Sequence, residues 1–131
     1  MGTKDDYQTL PIKILLVDDE ISYLEVLSNR LSKRNIHATK AHSGTEAIQA
    51  LRKEDFDVII LDLKLEDMDG IEVLKIMKKM VPEVNVIMLT GHGSEEAAMQ
   101  GILEGAYDYL TKPCALTDLI QKIREVYDQK R

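Results

Sequence analysis

Carboxylate side chains follow two hydrophobic segments of this sequence. Asp18 and Asp19 come directly after the segment Ile-Leu-Leu-Val, and Asp62 comes directly after Val-Ile-Ile-Leu. Carboxylates brought close together repel one another and raise each other's pKa values, and a divalent cation removes this repulsion. Carboxylate oxygens in a site that stays partly hydrated are suited to Mg²⁺. If both segments end at the same place, the sequence predicts a magnesium site there.

A hydroxyl group and an ammonium group follow two further hydrophobic segments. Thr90 follows Val-Ile-Met-Leu, and Lys112 follows Tyr-Asp-Tyr-Leu-Thr. A single acid after a strand often only caps the next helix, and Asp18, Asp19 and Glu20 could do this for the helix after them. Four segment ends with matched polar groups favour a shared site over capping.

Short hydrophobic segments alternate with amphipathic ones along the chain. The first kind predicts five strands, at Ile12–Val17, His37–Ala41, Val58–Leu61, Val84–Leu89 and Tyr107–Leu110. The first, third and fourth are continuous apolar runs, which is typical of central strands covered on both faces. Strict alternation of strands and helices predicts a parallel sheet with right-handed crossovers and helices on both faces. In such a sheet, chemistry collects beyond the carboxyl ends of the strands.

Apolar residues at helical spacing predict five helices between and after these strands. Their stripes are Ile21, Leu24, Leu27 and Leu31; Ala47, Ile48 and Leu51; Leu74, Met77 and Val81; Ala97, Ala98 and Ile102; and Leu116, Leu119, Ile120, Ile123, Val126 and Tyr127. Ser43 and Glu46 have capping-box spacing at the start of the second helix, and Ser94 is a candidate cap for the fourth. The fourth helix is expected to pack least firmly.

Composition indicates one soluble globular domain of 131 residues, 44% hydrophobic and 31% charged. The net charge of −6 argues against binding to nucleic acid or to an anionic membrane. The single cysteine fits a reducing compartment, and no apolar run is long enough for a signal peptide or a membrane span, so a cytoplasmic protein is expected. Residues 1–10 are expected to form a flexible N-terminal arm, and residues 11–131 the folded domain.

Several other kinds of site are excluded by spacing. The sequence beginning at Gly91 starts like a dinucleotide fingerprint, but Glu96 stands where the third glycine belongs. No glycine-lysine phosphate loop and no Gly-x-Ser-x-Gly turn occur. The histidines lack zinc spacing, and Cys114 has no second thiol. The acidic loop after Asp62 is a poor calcium loop, because Lys64 occupies a ligand position.

Taken together, five motifs resemble the receiver domain of bacterial two-component response regulators. They are Val17-Asp18-Asp19-Glu20, Leu61-Asp62-Leu63, Met68-Asp69-Gly70, Leu89-Thr90-Gly91, and Gly105-Ala-Tyr-Asp-Tyr-Leu-Thr-Lys-Pro113. The resemblance covers about residues 12 to 128. It implies a flavodoxin-like (βα)₅ fold, a doubly wound parallel sheet of strand order 2-1-3-4-5 in a single domain. It also implies phosphoryl transfer onto an aspartate from a sensor histidine kinase or a histidine phosphotransfer protein, with Mg²⁺ required.

The same resemblance implies roles for individual residues at the strand ends. Asp62 corresponds to the phosphorylated nucleophile, Asp19 to the direct metal ligand, and Asp18 to the neighbour that binds the metal through water. The backbone carbonyl of Lys64 takes the third protein ligand position. A carboxylate nucleophile divides transfer and hydrolysis into two steps, in agreement with this reading.

Further residues correspond to the phosphoryl contacts and to the switch. Thr90 and Lys112 correspond to the hydroxyl and the ammonium that contact phosphoryl oxygens. Tyr109 corresponds to the aromatic residue that turns inward on phosphorylation, and Pro113 to a cis-proline. The family also implies that the face formed by the fourth helix, fifth strand and fifth helix contacts an output domain or protein. No output sequence follows the last helix, so the chain is expected to be a free-standing receiver or part of a longer regulator.

Two side chains and two other functions are left open by the sequence. Lys64 and His92 stand where the family varies; they either modulate the phosphoryl lifetime or are solvated loop side chains. A phosphorylation-independent interaction module would be favoured by loss of Asp19, Asp62 or Lys112, and all three are present. An aspartate-nucleophile phosphatase needs an acid where Lys64 stands, and a cap insertion that is absent. Glu66-Asp-Met replaces a proline common in the family, which predicts a more mobile loop.

Overall fold

The computed structural model describes residues 10–91 and 93–130. In this part of the chain, strands and helices alternate in the predicted order. They are β1 (Ile12–Val17), α1 (Ile21–Ser32), β2 (Ile36–Ala41), α2 (Gly44–Lys53), β3 (Val58–Asp62), α3 (Gly70–Met80), β4 (Val86–Thr90), α4 (Glu95–Leu103), β5 (Asp108–Thr111) and α5 (Leu116–Lys130). All strand pairs are parallel, in the order β2-β1-β3-β4-β5. The predicted flavodoxin-like topology is confirmed.

The three central strands are the three that the sequence predicts from continuous apolar runs. Every residue of β3 and β4 is buried, and only Lys13 of β1 is partly exposed. The edge strands β2 and β5 contain more exposed positions. Helices on both faces of the sheet exclude water from the central strands, so these strands need apolar side chains at every position.

Two hydrophobic cores lie on opposite faces of the sheet, because successive strand residues point to opposite sides. Leu15, Ile59 and Met88 belong to the core shared with α2 and α3. Leu16 and Ile60 belong to the core shared with α1 and α5. Burial of each such side chain contributes about 1.5–3 kcal/mol, so helix packing on both faces fixes the position of every central strand and of its carboxyl end.

The strand ends differ from the prediction by one or two residues. β4 begins at Val86 rather than Val84, and β3 and β4 each extend by one polar residue, Asp62 and Thr90. Both polar residues are buried. Asp62 belongs to β3 because it continues the parallel pairing, opposite Leu89 of β4.

The helices follow the predicted stripes with two exceptions, because Ile21 of α1 and Ile102 of α4 are both exposed. Ile21 begins α1 and is 58% exposed, whereas Leu24 and the later residues of its stripe are buried. The Ser43 cap of α2 is confirmed, because its side chain accepts a hydrogen bond from the Glu46 amide. Ser94 occupies the cap position of α4, but its side chain makes no capping hydrogen bond.

Loose packing of α4 agrees with the sequence prediction. Its buried residues are Ala98 and Gly101, while Met99 and Leu103 are exposed. The predicted N-terminal arm falls mostly on residues 1–9, which lie outside the described residues, and Leu10 is exposed. Within the described ranges, no helix combines the length and the apolar character needed to cross a bilayer.

Candidate functional site

Three carboxylates meet at the carboxyl ends of β1 and β3. The parallel register pairs Val17 with Leu61, so the residues after each lie side by side. One ligand oxygen from each of Asp18, Asp19 and Asp62 lies within 4.8 Å of the others. Asp18 and Asp62 are buried and Asp19 is half-buried. This is the cluster that the sequence predicts from the two strand ends.

The ammonium of Lys112 binds two of these carboxylates. Its Nζ lies 2.9 Å from Asp18 Oδ2 and 3.2 Å from Asp62 Oδ2. The Lys112 amide donates to the carbonyl of Thr90 at 2.6 Å, which holds the residues after β5 against the end of β4. The peptide bond between Lys112 and Pro113 is cis. Four strand ends therefore contribute to one site.

The site carries more negative than positive charge. When ionised, three carboxylates and one ammonium leave two excess negative charges. Burial raises the pKa of Asp62 and the charge of Asp18 adds to this, against the lowering effects of the Lys64 amide and the Lys112 ammonium. Burial lowers the pKa of Lys112, but the hydrogen bond to Asp18 and the charge of Asp62 outweigh it and raise that pKa. A divalent cation would balance the excess charge, and the all-oxygen donors suit Mg²⁺.

Backbone amides fix the orientation of both buried acids. Asp62 Oδ1 accepts from the Lys64 amide at 3.0 Å, and Asp18 Oδ1 accepts from the Glu20 amide at 2.9 Å. Each acid therefore holds one oxygen on its own loop and directs the other to Lys112. Glu20 is the N-cap residue of α1, and its side chain makes no capping hydrogen bond. This arrangement favours a shared site over the helix-capping alternative.

The structure describes three of the remaining predicted residues, Thr90, Lys64 and Tyr109. Thr90 ends β4 and is buried, one strand away from Asp62. The side chain of Lys64 is exposed, and Tyr109 on β5 is 36% exposed. His92 lies outside the described residues, so its predicted modulating role stays a prediction.

Tyr23 is a site residue that the sequence reasoning missed. The centre of its ring lies 4.8 Å from Lys112 Nζ, within the range of a cation–π interaction. Burial raises the pKa of the Tyr23 hydroxyl, and nearby Cys114 adds to the effect. One feature of the sequence could have indicated Tyr23: it lies four residues before the apolar Leu27, and residues four apart share a helix face. That spacing predicts an inward ring but does not identify the ammonium beside it.

The loop between β3 and α3 is tied to the start of α2. Asp67 accepts hydrogen bonds from the Gly44 amide at 2.9 Å and from the Thr45 amide and hydroxyl at 3.1 and 3.0 Å. These amides lower the pKa of Asp67. Asp69 caps α3 through the Ile71 amide. The sequence had no signal for these hydrogen bonds, and the greater mobility predicted for this loop from its missing proline stays a prediction.

The chain matches known proteins along most of its length. The sequence model described as response regulator receiver domain matches residues 14–124. The transcriptional regulatory protein GlrR of Escherichia coli K12 is 35% identical over 119 residues, which are 91% of this chain and 27% of that protein. The transcriptional regulatory protein ZraR of the same strain is 36% identical over 108 residues, 82% of this chain and 24% of that protein. The chain thus spans about a quarter of the length of these curated relatives.

Solved structures give the same result. A response regulator receiver domain protein of Clostridium thermocellum is 34% identical with a TM-score of 0.87, covering 91% of this chain and 96% of that one. The receiver domain of NtrX from Brucella abortus is 32% identical with a TM-score of 0.83, covering 88% and 98% of the two chains. The similarity therefore extends over whole receiver domains.

Proposed function

Because this chain belongs to the response regulator receiver domain family, we propose that Asp62 accepts a phosphoryl group in a reaction that requires Mg²⁺. The observation that carries the proposal is the charge imbalance at the strand ends, where three carboxylates share one ammonium. The excess negative charge of this site favours binding of a divalent cation. The cation and the Lys112 ammonium together supply the positive charge that stabilises an anionic phosphoryl group. Residues 11–131 form the receiver domain in this proposal, and its location is the cytoplasm.

The proposed transfer is a displacement at phosphorus. An Asp62 oxygen forms a bond to phosphorus as the bond from phosphorus to the donor's histidine nitrogen breaks, and the released imidazole leaves with that electron pair. The Lys112 ammonium and the Thr90 hydroxyl bind phosphoryl oxygens. Asp18, Asp19, Asp62 and the Lys64 carbonyl would hold Mg²⁺, which supplies positive charge at the phosphoryl oxygens when bound. The chain thereby promotes its own phosphorylation and slow hydrolysis.

Mass measurement after incubation with acetyl phosphate and Mg²⁺ tests the proposal. We expect the mass of the protein to increase by that of one phosphoryl group. An unchanged mass would favour an interaction module that works without phosphorylation. Rapid release of phosphate from many different esters would favour a phosphatase instead.

The proposed partners follow from family membership and from one exposed surface. A sensor histidine kinase or a histidine phosphotransfer protein donates the phosphoryl group. The face formed by α4, β5 and α5 receives an output domain or protein, and Met99, Leu103 and Tyr109 expose apolar area there. The net charge of −6 argues against direct binding of nucleic acid by this chain.

Phosphorylation is expected to change residues 90–112. Thr90 moves toward the phosphoryl group and Tyr109 follows inward, and α4 shifts because few of its residues are buried. Contacts from phosphoryl oxygens to Thr90 and Lys112 supply the free-energy difference between the two states. Hydrogen exchange should therefore differ across residues 90–112 between the free and the beryllofluoride-bound protein. Identical exchange rates there would contradict this switch.

Replacement of Lys64 by alanine is expected to speed loss of the phosphoryl group severalfold without preventing phosphorylation. The exposed ammonium two residues after Asp62 can pair with the phosphoryl group and obstruct the approach of water. A tenfold change needs only about 1.4 kcal/mol, which one charged contact can supply. The measurement is a time course of dephosphorylation for the wild type, Lys64→Ala and His92→Ala.

Lys79→Ala is the matched control, because this lysine is also exposed and lies in the last turn of α3. Its half-life should equal that of the wild type. Equal half-lives for Lys64→Ala and the wild type would instead mean that the Lys64 side chain is only solvated.

A further inference from the structure

Tyr23 presents the face of an aromatic ring to the ammonium of Lys112. The ring belongs to α1, and Lys112 follows β5, so the contact joins two elements that meet only through the fold. The distance of 4.8 Å from Nζ to the ring centre is within the limit of about 6 Å for a cation–π interaction. A quarter of the lysine side chain is exposed, so the ammonium is partly desolvated. Desolvation strengthens such a contact.

The ring differs in kind from the two other contacts of the ammonium. Asp18 and Asp62 bind Nζ through carboxylate oxygens. Both carboxylates change their partners in the proposed reaction, because Asp62 becomes bonded to phosphorus and Asp18 faces the cation. The ring of Tyr23 carries no charge and forms no bond in that reaction. Of these three contacts, it is therefore the one that the proposed reaction does not itself change.

The geometry points to Tyr23 as a positioning residue for phosphorylation: its ring retains the Lys112 ammonium at the site while the two carboxylates exchange partners. The inference rests on the proposed function and adds to it a residue outside the five motifs. Lys112 is a long, flexible side chain, and its immobilisation costs conformational entropy at the moment of reaction. A contact that restrains it beforehand lowers that cost.

A simple packing role makes different predictions for Tyr23. The ring also packs against the core between the sheet, α1 and α5. Packing depends on the shape and volume of the side chain, whereas the attraction to an ammonium depends on the electron density of the ring face. Variants that change one property and keep the other therefore separate the two roles.

The rate of phosphorylation by acetyl phosphate at saturating Mg²⁺ is the first measurement. Tyr23→Phe retains the ring and should react within about twofold of the wild type. Tyr23→Leu removes the ring but keeps an apolar side chain, and should react about fivefold to tenfold more slowly. Tyr107→Leu is the control, because Tyr107 is also a partly buried tyrosine packed on the same core, with its hydroxyl bound to Glu125. It should react like the wild type.

Three further measurements distinguish positioning from packing. Phenylalanine with increasing numbers of ring fluorines at position 23 keeps the shape of the ring but lowers the electron density of its face. The rate of phosphorylation should therefore fall with each added fluorine. In the Lys112→Ala background, Tyr23→Leu should have no further effect on the rate, because the interaction has already been removed. Without metal or phosphoryl donor, the NMR signal of the Lys112 ammonium protons should lie upfield in the wild type and move downfield in Tyr23→Leu.

The outcomes separate the inference from the proposed function. No phosphate on the wild type would overturn the proposed function and the inference with it. A phosphorylated wild type with equal rates in the fluorinated series, or with an equal effect of Tyr23→Leu in both lysine backgrounds, would overturn the inference alone. If Tyr23→Leu does not fold, the fluorinated series still decides, because it preserves packing.

Discussion

Replacement of Asp62 by asparagine is expected to eliminate phosphorylation, with a loss of about 10³-fold or more. Asparagine preserves the size of the side chain and can still accept a hydrogen bond from Lys112, so the fold should persist. Its amide oxygen is a poor nucleophile and cannot form a stable bond to phosphorus. Incubation with acetyl phosphate and Mg²⁺, followed by intact-mass measurement, gives the result directly.

Removal of the cation should have the same effect on the wild type. Excess chelator leaves two negative charges uncompensated where an anionic phosphoryl group must enter. Asp55→Asn is the matched control, because this exposed aspartate precedes β3 rather than following it, and it should be phosphorylated normally. Phosphate that persists in Asp62→Asn, or in excess chelator, would contradict the assignment.

Replacement of Gly70 by alanine is expected to lower the free energy of unfolding by about 3 kcal/mol, and the unfolding midpoint by roughly 10 °C. A Cβ atom at this position would lie 2.4 Å from Leu63 Cα and 2.6 Å from the Leu63 carbonyl oxygen. Those are backbone atoms of the loop that follows Asp62, so the collision cannot be relieved by a side-chain rotation. Alanine gains at most about 1 kcal/mol of helix propensity at the start of α3, which does not offset the collision.

Gly91→Ala is the matched control for this prediction. A Cβ atom there meets nothing within 4 Å, so thermal unfolding should be almost unchanged. Equal thermal unfolding midpoints for Gly70→Ala and Gly91→Ala would contradict this prediction. They would mean that the backbone of the loop after β3 moves aside at little cost in free energy. The difference between the two glycines also gives a physical reason for the Met68-Asp69-Gly70 motif, which is the close approach of α3 to that loop.

The topology and the carboxylate cluster follow from the sequence for the same reason. β1, β3 and β4 are apolar at almost every position, so they must be central, and parallel central strands place their carboxyl ends together. Asp18, Asp19 and Asp62 are therefore adjacent whatever the details of the helices. Spacing alone does not distinguish the three acids from one another. Their separate predicted roles come from the resemblance to the family.

Contacts between distant segments could not be predicted in this way. α1 packs on β1 and β2, whereas Lys112 follows β5 at the other edge of the sheet. Tyr23 therefore meets Lys112 only through the tertiary fold, and nothing near either residue in the sequence specifies that distance. Helical spacing placed Ile21 on the buried stripe, but it is the first residue of α1, where the chain is still outside the core. Local patterns describe faces of elements, and tertiary packing decides which positions on those faces are covered.

The hydrogen bonds of Asp67 have a consequence for local unfolding. The first amides of a helix lack partners within it, and at the start of α2 Asp67 accepts from two of them across the loop. If the loop opened alone, the amides of Gly44 and Thr45 would lose their acceptor and the first turn of α2 would fray. We therefore expect the loop that follows Asp62 and the first turn of α2 to open together, as one unit in hydrogen exchange.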